Sequence, residues 1–259
     1  MPSDAKTAPS SRWIAPGAPP LRAGPAATAV MVGMPCYGGM LAAPALHGLL
    51  ETQRALLARG IGFYCATTTN ESLVPRARNT IVAHFLASDC SHLVFVDADI
   101  GFGADAVLRL LAHERPVIGG LYRLKRLDRA DWAVEWHVGP DGAVRRDPAS
   151  GALEVASIGT GFLCLRRDAL ERLVAAFPDT RYRPPPAEDG AEPAWHAHCH
   201  ALFDSGVDRA IGRYVGEDYG FCARWRAIGG EVWCDPALLL EHHGQACFSG
   251  NPMEMLRPA

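Results

Sequence analysis

The sequence contains no run of about 18 apolar residues, so no segment of it reads as a membrane span. It also lacks an excess of positive charge: 25 Lys and Arg stand against 28 Asp and Glu, a net charge of −3. With no helix-length stripe of basic side chains, the electrostatic footprint of a nucleic-acid binder is missing. Eight cysteines occur, at 36, 65, 90, 164, 199, 222, 234 and 247, but no Cys-x-x-Cys pair. Scattered through apolar stretches, they read as reduced, buried thiols rather than a disulfide framework. A cytoplasmic location, or one peripheral to a membrane, is the expectation. Internal repeats are absent. Residues 1–27, rich in Ala, Pro, Ser and Gly, lack the continuous hydrophobic stretch of a signal peptide and are expected to form a disordered arm.

What is present is an ordinary globular composition, 49% hydrophobic and 20% charged over 259 residues, ample for a large core. In the first half, strand patterns at 28–34, 61–68, 92–96 and 116–122 alternate with helical patterns at 44–59, 73–88 and 105–113. Leu46, Leu49, Leu50, Ala55, Leu56 and Leu57 give the first helix its apolar face, and Gly60 follows its end. This βαβαβαβ order predicts an α/β fold with a mainly parallel, doubly wound sheet flanked by helices. The second half is mixed. Gly139-Pro-Asp-Gly142 between 132–138 and 143–146 predicts a hairpin. A strand over 155–165 is interrupted by Gly159-Thr160-Gly161, helices are expected at 167–177 and 217–228, and a last strand at 231–240. The Pro-rich, polar stretch 178–212 reads as an insertion and candidate lid.

The chemistry gathers around His92-Leu-Val-Phe-Val-Asp97-Ala-Asp99-Ile100-Gly-Phe102. Its apolar run is a short buried strand that ends on two carboxylates spaced i, i+2. Open α/β sheets bind ligands at the carboxyl ends of their strands, and i, i+2 residues of a strand face one side. Asp97 and Asp99 are therefore candidates to hold Mg²⁺ or Mn²⁺, with positions left for water and a diphosphate. Arg76, Arg78 and Asn79 open the second helix near the same crevice, where an Arg fork suits phosphate oxygens. Arg76 and Arg78, two apart, cannot share one face of a helix.

Glu217 and Asp218 begin a late helix, either as helix-start acids stabilised by the macrodipole or as a general base. His242 and His243 follow the last strand, and one of them can ligate a metal. Lys125, with Arg123, Arg126 and Arg129, either neutralises a diphosphate or solvates a loop. The His196-Ala-His198-Cys199-His200 cluster invites a zinc reading. With no Cys-x-x-Cys partner, a mobile loop that contacts an acceptor is preferred. Trp132, Trp136, Trp195, Tyr214 and Trp225 serve equally as sugar-stacking or core residues.

These elements, in this order from about residue 27 to about 244, resemble the GT-A fold glycosyltransferases, in particular the family 2-like group. Pro35-Cys-Tyr-Gly-Gly39 resembles the start of their nucleotide pocket, Arg78-Asn79 their Ala-Arg-Asn element and Asp97-Ala-Asp99 their Asp-x-Asp element. Gly159-Thr-Gly161-Phe162 resembles the acceptor-side strand, Gly216-Glu-Asp218-Tyr219 the acidic pair, and His242 or His243 the late metal-ligand histidine. The resemblance implies a Rossmann-like GT-A sheet with a smaller mixed acceptor-side portion. It implies one catalytic domain over 28–245, with a nucleotide half 28–125, an acceptor half 126–245 and a tail 246–259.

It further implies Pro35 and Tyr37 beside the base and ribose, Arg78 on the donor phosphates, Asp97 near ribose or metal, and Asp99 on a Mn²⁺ or Mg²⁺ ion. Asp218, with Glu217, is the implied base. The partners would be a UDP- or GDP-sugar and a glycan, lipid-linked or other hydroxyl acceptor, with no nucleic acid. Inversion is favoured, and the oligomeric state is open. A Gln-x-x-Arg-Trp element is absent, as are membrane segments, which argues against a processive synthase; Arg224-Trp225 lies inside the late helix instead. Two rivals remain: a nucleotidyltransferase making nucleotide sugars, and a non-catalytic sugar- or zinc-binding module. The loop after the first strand carries no Lys or Arg, which counts against the first.

Overall fold

Residues 29–36 carry no charge and alternate their larger apolar side chains between two sides, as a strand buried on both faces requires. In the computed structural model, which describes residues 29–184, 192–209 and 212–255, they form β1 (Ala29–Cys36). The chain continues as α1 (Ala43–Leu57), β2 (Gly62–Thr69), α2 (Val74–Leu86), β3 (His92–Val96), β4 (Ile100–Gly101), α3 (Ala104–Ala112) and β5 (Val117–Gly120). Next come β6 (Val134–Trp136), β7 (Leu153–Ile158), β8 (Phe162–Arg166) and α4 (Arg167–Ala176). Then follow β9 (Gly206–Asp208), β10 (Arg213–Val215), α5 (Glu217–Ala227), β11 (Val232–Asp235), β12 (Glu241–His243), β13 (Cys247–Phe248) and α6 (Pro252–Met255). The expected N-terminal arm lies outside the described residues.

Eight strands form the central sheet in the order β2-β1-β3-β8-β5-β11-β7-β6. The β1–β2, β1–β3 and β5–β11 pairs are parallel, whereas β8 is antiparallel to β3 and β5, and β7 to β11 and β6. Six strands therefore run one way and two the other, a mainly parallel α/β sheet. Its two faces carry separate cores. Met31, Leu93, Phe95, Leu163, Leu165 and Cys234 pack beneath α2, α4 and α5. Their neighbours Val30, Val32, Val94, Val96, Phe162 and Cys164 pack beneath α1 and α3. The period of two along each strand makes this division.

The first half matches its expected element order. Three expectations in the second half need correction. The segment 155–165 is two strands: Gly159-Thr160-Gly161 breaks it, so that β8 inserts between β3 and β5 while β7 lies beyond β11. The Gly139–Gly142 turn forms, but a single bridge, Val138 to Val144, closes it, and β6 pairs with β7 instead. The last expected strand stops at Asp235; residues 241–243 belong to a small sheet of order β13-β12-β4.

Part of the expected 178–212 insertion lies outside the described residues; its described parts hold two short 3-10 turns and β9, and some of it is core. Cys199, Leu202 and Phe203 are fully buried, and Phe203 stacks on Phe221 at 4.3 Å. No helix among the described residues is long and apolar enough to cross a membrane.

Candidate functional site

The carboxyl ends of β1 and β3 build the site's first wall. After β1 the chain makes a tight 3-10 turn, Tyr37–Gly39, in which Gly38 and Gly39 take φ of 69° and 68°, a conformation suited to glycine. Strand β3 stops at Val96, and Asp97-Ala98-Asp99 form a turn closed by the Ile100 N–H donating to the Asp97 carbonyl at 3.0 Å. Both carboxylates are thus off the strand. They line one cavity of about 510 Å³ together with Pro35, Tyr37, Val74 and Arg78.

The two acids have different partners. Arg78, 3% exposed, donates from Nη2 to Asp97 Oδ1 at 2.8 Å, and its Nε lies 3.6 Å from Glu217 Oε1. Its Nε and Nη1 have no hydrogen-bond acceptor although both are buried. Buried donors left in this state normally find a partner, which makes this fork a candidate to take an anion. Arg76 is held by Glu71, at 2.5 and 2.9 Å, whereas Arg78 lines the cavity. Asn79, expected at the crevice, turns away: it donates to the Phe203 carbonyl at 3.0 Å and accepts from the Phe203 N–H at 2.8 Å.

Asp99 Oδ2 is 2.5 Å from Lys125 Nζ, and Oδ1 is 3.6 Å from His242 Nε2. Burial raises the Asp99 carboxyl, but hydrogen bonds from His242 and Lys125 outweigh it and hold the group down at about 2. His242 Nδ1 lies 2.7 Å from the Arg123 carbonyl oxygen, which can only accept, so Nδ1 carries a proton. Nε2 then meets Asp99 either through its own proton or through a bound cation, the arrangement of a metal-ligating histidine with an oriented ring. The His243 ring is directed elsewhere, 3.2 Å from Glu241 Oε2, while its backbone N–H donates to the Asp99 carbonyl at 2.8 Å. Asp99 and His242 are therefore the pair placed to share a cation here, while Asp97 is held by Arg78 and the His243 ring is turned to Glu241.

A second cavity, about 870 Å³, borders the start of α5 and is lined by Glu135, Trp136, Ser157, Tyr214, Asp218 and Tyr219. Gly216 precedes α5, so Glu217 and Asp218 occupy its first turn. Burial, and after it the Glu217 charge, raises the Asp218 carboxyl above its ordinary value. Of the candidate stacking residues, Trp136 and Tyr214 line this cavity. Trp225 is core, Trp132 packs against core, and Trp195 stacks on His84 at 4.7 Å.

Tyr122, which the sequence reading did not single out, joins the walls. It lies beyond β5, is buried, and its hydroxyl accepts from the Gly161 N–H at 3.2 Å. A Cβ on Gly159 would sit 2.2 Å from that oxygen, so the Gly159-Thr160-Gly161 break is the room this ring needs. Burial and the Asp97 charge push its phenol far above the ordinary value. Of the basic loop, Lys125 alone reaches an acid of the site: Arg126 and Arg129 pair with Asp131, and Arg123 donates to the Ser249 and Arg129 carbonyls. The His196–His200 cluster brings no three donor atoms together among the described residues. His200 bonds to Thr180 at 3.0 Å and the Cys199 thiol to the Trp195 carbonyl at 3.7 Å.

No protein-family model and no curated protein sequence matches this chain. Among solved structures it is similar to A197 from STIV, with 17% identity, coverage of 86% of this chain and 90% of that one, and a TM-score of 0.49. It is also similar to GalNAc-T7, solved with UDP, GalNAc and Mn²⁺, at 12% identity over 83% of this chain and a TM-score of 0.43; the match spans 44% of that chain. A third likeness, at 12% identity, 58% and 66% coverage and a TM-score of 0.32, is to a glycosyltransferase involved in glycosylation of the PBCV-1 major capsid.

Proposed function

We propose that this chain is a GT-A-type glycosyltransferase that moves a sugar from a nucleoside-diphosphate sugar to an acceptor hydroxyl, with inversion. The observation that carries this reading is the place of Arg78. Its buried fork joins Asp97, in a cavity at the strand ends, to the acidic start of α5, beside a second and larger cavity. A donor in the first cavity and an acceptor in the second would then meet near the start of α5. Pro35 and Tyr37 border the base and ribose, and the free Arg78 donors take diphosphate oxygens. A Mn²⁺ or Mg²⁺ ion held by Asp99 and His242 would supply Lewis-acid neutralisation of the diphosphate.

In the reaction, Asp218 accepts the proton of the acceptor hydroxyl as its oxygen bonds to the anomeric carbon. The carbon–oxygen bond to the diphosphate breaks with its electron pair going to the leaving group, whose charge Arg78 meets without reorganisation. The raised Asp218 carboxyl suits a base that must hold the proton it takes. Trp136 and Tyr214 give the acceptor cavity apolar faces for a sugar ring.

The test is product analysis with UDP- and GDP-sugars, Mn²⁺ and hydroxyl acceptors. The expected products are nucleoside diphosphate and glycosylated acceptor, with turnover cut by about 10²–10⁴ in Asp218→Asn. Pyrophosphate released from a nucleoside triphosphate and a sugar phosphate would replace this reading with nucleotidyl transfer.

A further inference from the structure

Strand β12 presents its two histidines to opposite sides. His242 turns to Asp99, whereas Glu241 and His243, two apart, share the other side. Strand β13 runs antiparallel to β12 and sets Cys247 directly opposite His243, after a turn in which the Gly244 N–H donates to the Ala246 carbonyl at 3.0 Å. One donor atom from each of Glu241, His243 and Cys247 lies within 4.8 Å of the other two, and Glu241 Oε2 is 3.2 Å from His243 Nε2. On the other flank β4 pairs Gly101 with Glu241. A Cβ at Gly101 would stand 3.1 Å from His243 Nε2 and 3.3 Å from Glu241 Cβ. A side chain at 101 would crowd this side of β12 and also meet Pro44 Cβ, at 2.9 Å.

We propose that Glu241, His243 and Cys247 form a binding site for a zinc-type divalent cation, separate from the Asp99 and His242 pair. A carboxylate, an imidazole and a thiolate suit the borderline-soft Zn²⁺ ion better than Mg²⁺ or Mn²⁺. Metal bonds of about 2.0–2.3 Å place tetrahedral ligands roughly 3.3–3.6 Å apart, so the donors need to close only slightly. Binding displaces the Cys247 thiol proton to solvent, and the fourth position is left for water. The ion ties β12 to β13 and thereby holds the strand whose backbone N–H at His243 fixes the Asp99 carbonyl. The site does not depend on glycosyl transfer.

Titration of the reduced full chain with Co²⁺ tests this. The proposal requires one thiolate-to-cobalt charge-transfer band, bleached by Zn²⁺, absent in Cys247→Ser and retained in Cys65→Ser and Asp99→Ala. His243→Ala should weaken binding by more than about tenfold, since even outer-shell changes reach that size. Cys247 is exposed, so its replacement by Ser leaves the core untouched, and an unchanged thermal melt of the metal-free variant verifies the fold. Absence of the band, or a band that survives Cys247→Ser, overturns the site.

Discussion

Arg78 shows how one residue can set the character of a site. It is buried, has an acid on either side, and keeps two donors free. Arg78→Lys replaces a planar fork by a point charge. We expect calorimetry to show binding of the preferred nucleoside diphosphate weakened by at least about tenfold while the chain still folds, since the positive charge between Asp97 and Glu217 is kept. Equal affinity in the variant would remove Arg78 from the phosphate site. Asp97 and Asp99 stood out as candidates because they follow a strand end, whereas Arg78 was preferred to Arg76 only through the resemblance to GT-A glycosyltransferases. Lys125 was a candidate alongside three arginines, and the fold shows which acid it meets; Tyr122 was not, since an aromatic after a strand looks like core.

A second residue speaks through pH. Burial, and next the Arg166 charge, lowers the His92 imidazole to about 4, so the folded chain binds fewer protons there than the unfolded chain between pH 4 and its ordinary value of 6.5. The neutral histidine's contribution is complete above pH 6.5 and is lost as pH falls through about 4, a change of at most about 3 kcal/mol. Urea melts across pH 7 to 4 should show this loss, and His92→Gln should flatten it.

At the scale of elements, the structure departs from local expectation where a segment's neighbours are distant in sequence. The apolar run 155–165 has the pattern of one strand, and nothing in its periodicity says that the glycine break sends β7 and β8 to different places in the sheet. The cause lies elsewhere in the chain, in the Tyr122 ring that fills the break. Gly159→Ala should therefore destabilise by about 1–3 kcal/mol, the usual cost of overpacking, and Tyr122→Phe, by removing the hydroxyl it meets, should recover part of that in a double-mutant cycle. Additive losses would mean the two residues do not meet.

The 178–212 stretch teaches the same point from the other side. Its composition is polar and Pro-rich, yet the short apolar run at Leu202-Phe203 is anchored by two hydrogen bonds between Phe203 and Asn79, one in each direction, and by stacking on Phe221. Asn79→Ala strands a buried backbone N–H and carbonyl, and we expect a loss of about 1–3 kcal/mol. Hydrogen exchange should show protection lost first at 199–204.

For the whole molecule, the alternation of strand and helix patterns was enough to foresee an α/β sheet covered on both faces, and the two cores follow from it. A buried cross-tie joins one of the flanking layers to the sheet: Asp235 at the end of β11, 1% exposed, pairs with Arg109 and His113 of the α3 region, His113 at 2.7 Å. Burial raises the Asp235 carboxyl, but His113 and Arg109 outweigh it and the group stays ionised. Breaking such a pair strands a charge, so Arg109→Ala should cost about 3–5 kcal/mol in denaturant unfolding. This tie lies apart from both cavities and should leave nucleotide affinity unchanged once the variant is folded.

The glycosyltransferase reading rests on the cavity bordered by Pro35, Tyr37, Arg78, Asp97 and Asp99 binding a nucleoside diphosphate with a divalent metal. Thermal unfolding with UDP, GDP, CDP or dTDP, each with and without Mn²⁺, tests it most directly. A ligand at about a hundred times its dissociation constant stabilises by roughly 2.7 kcal/mol, a rise of several degrees. The account predicts such a rise with one nucleotide, dependent on Mn²⁺ and lost in Asp99→Ala. No rise with any nucleotide, or one that Asp99→Ala leaves intact, would contradict it.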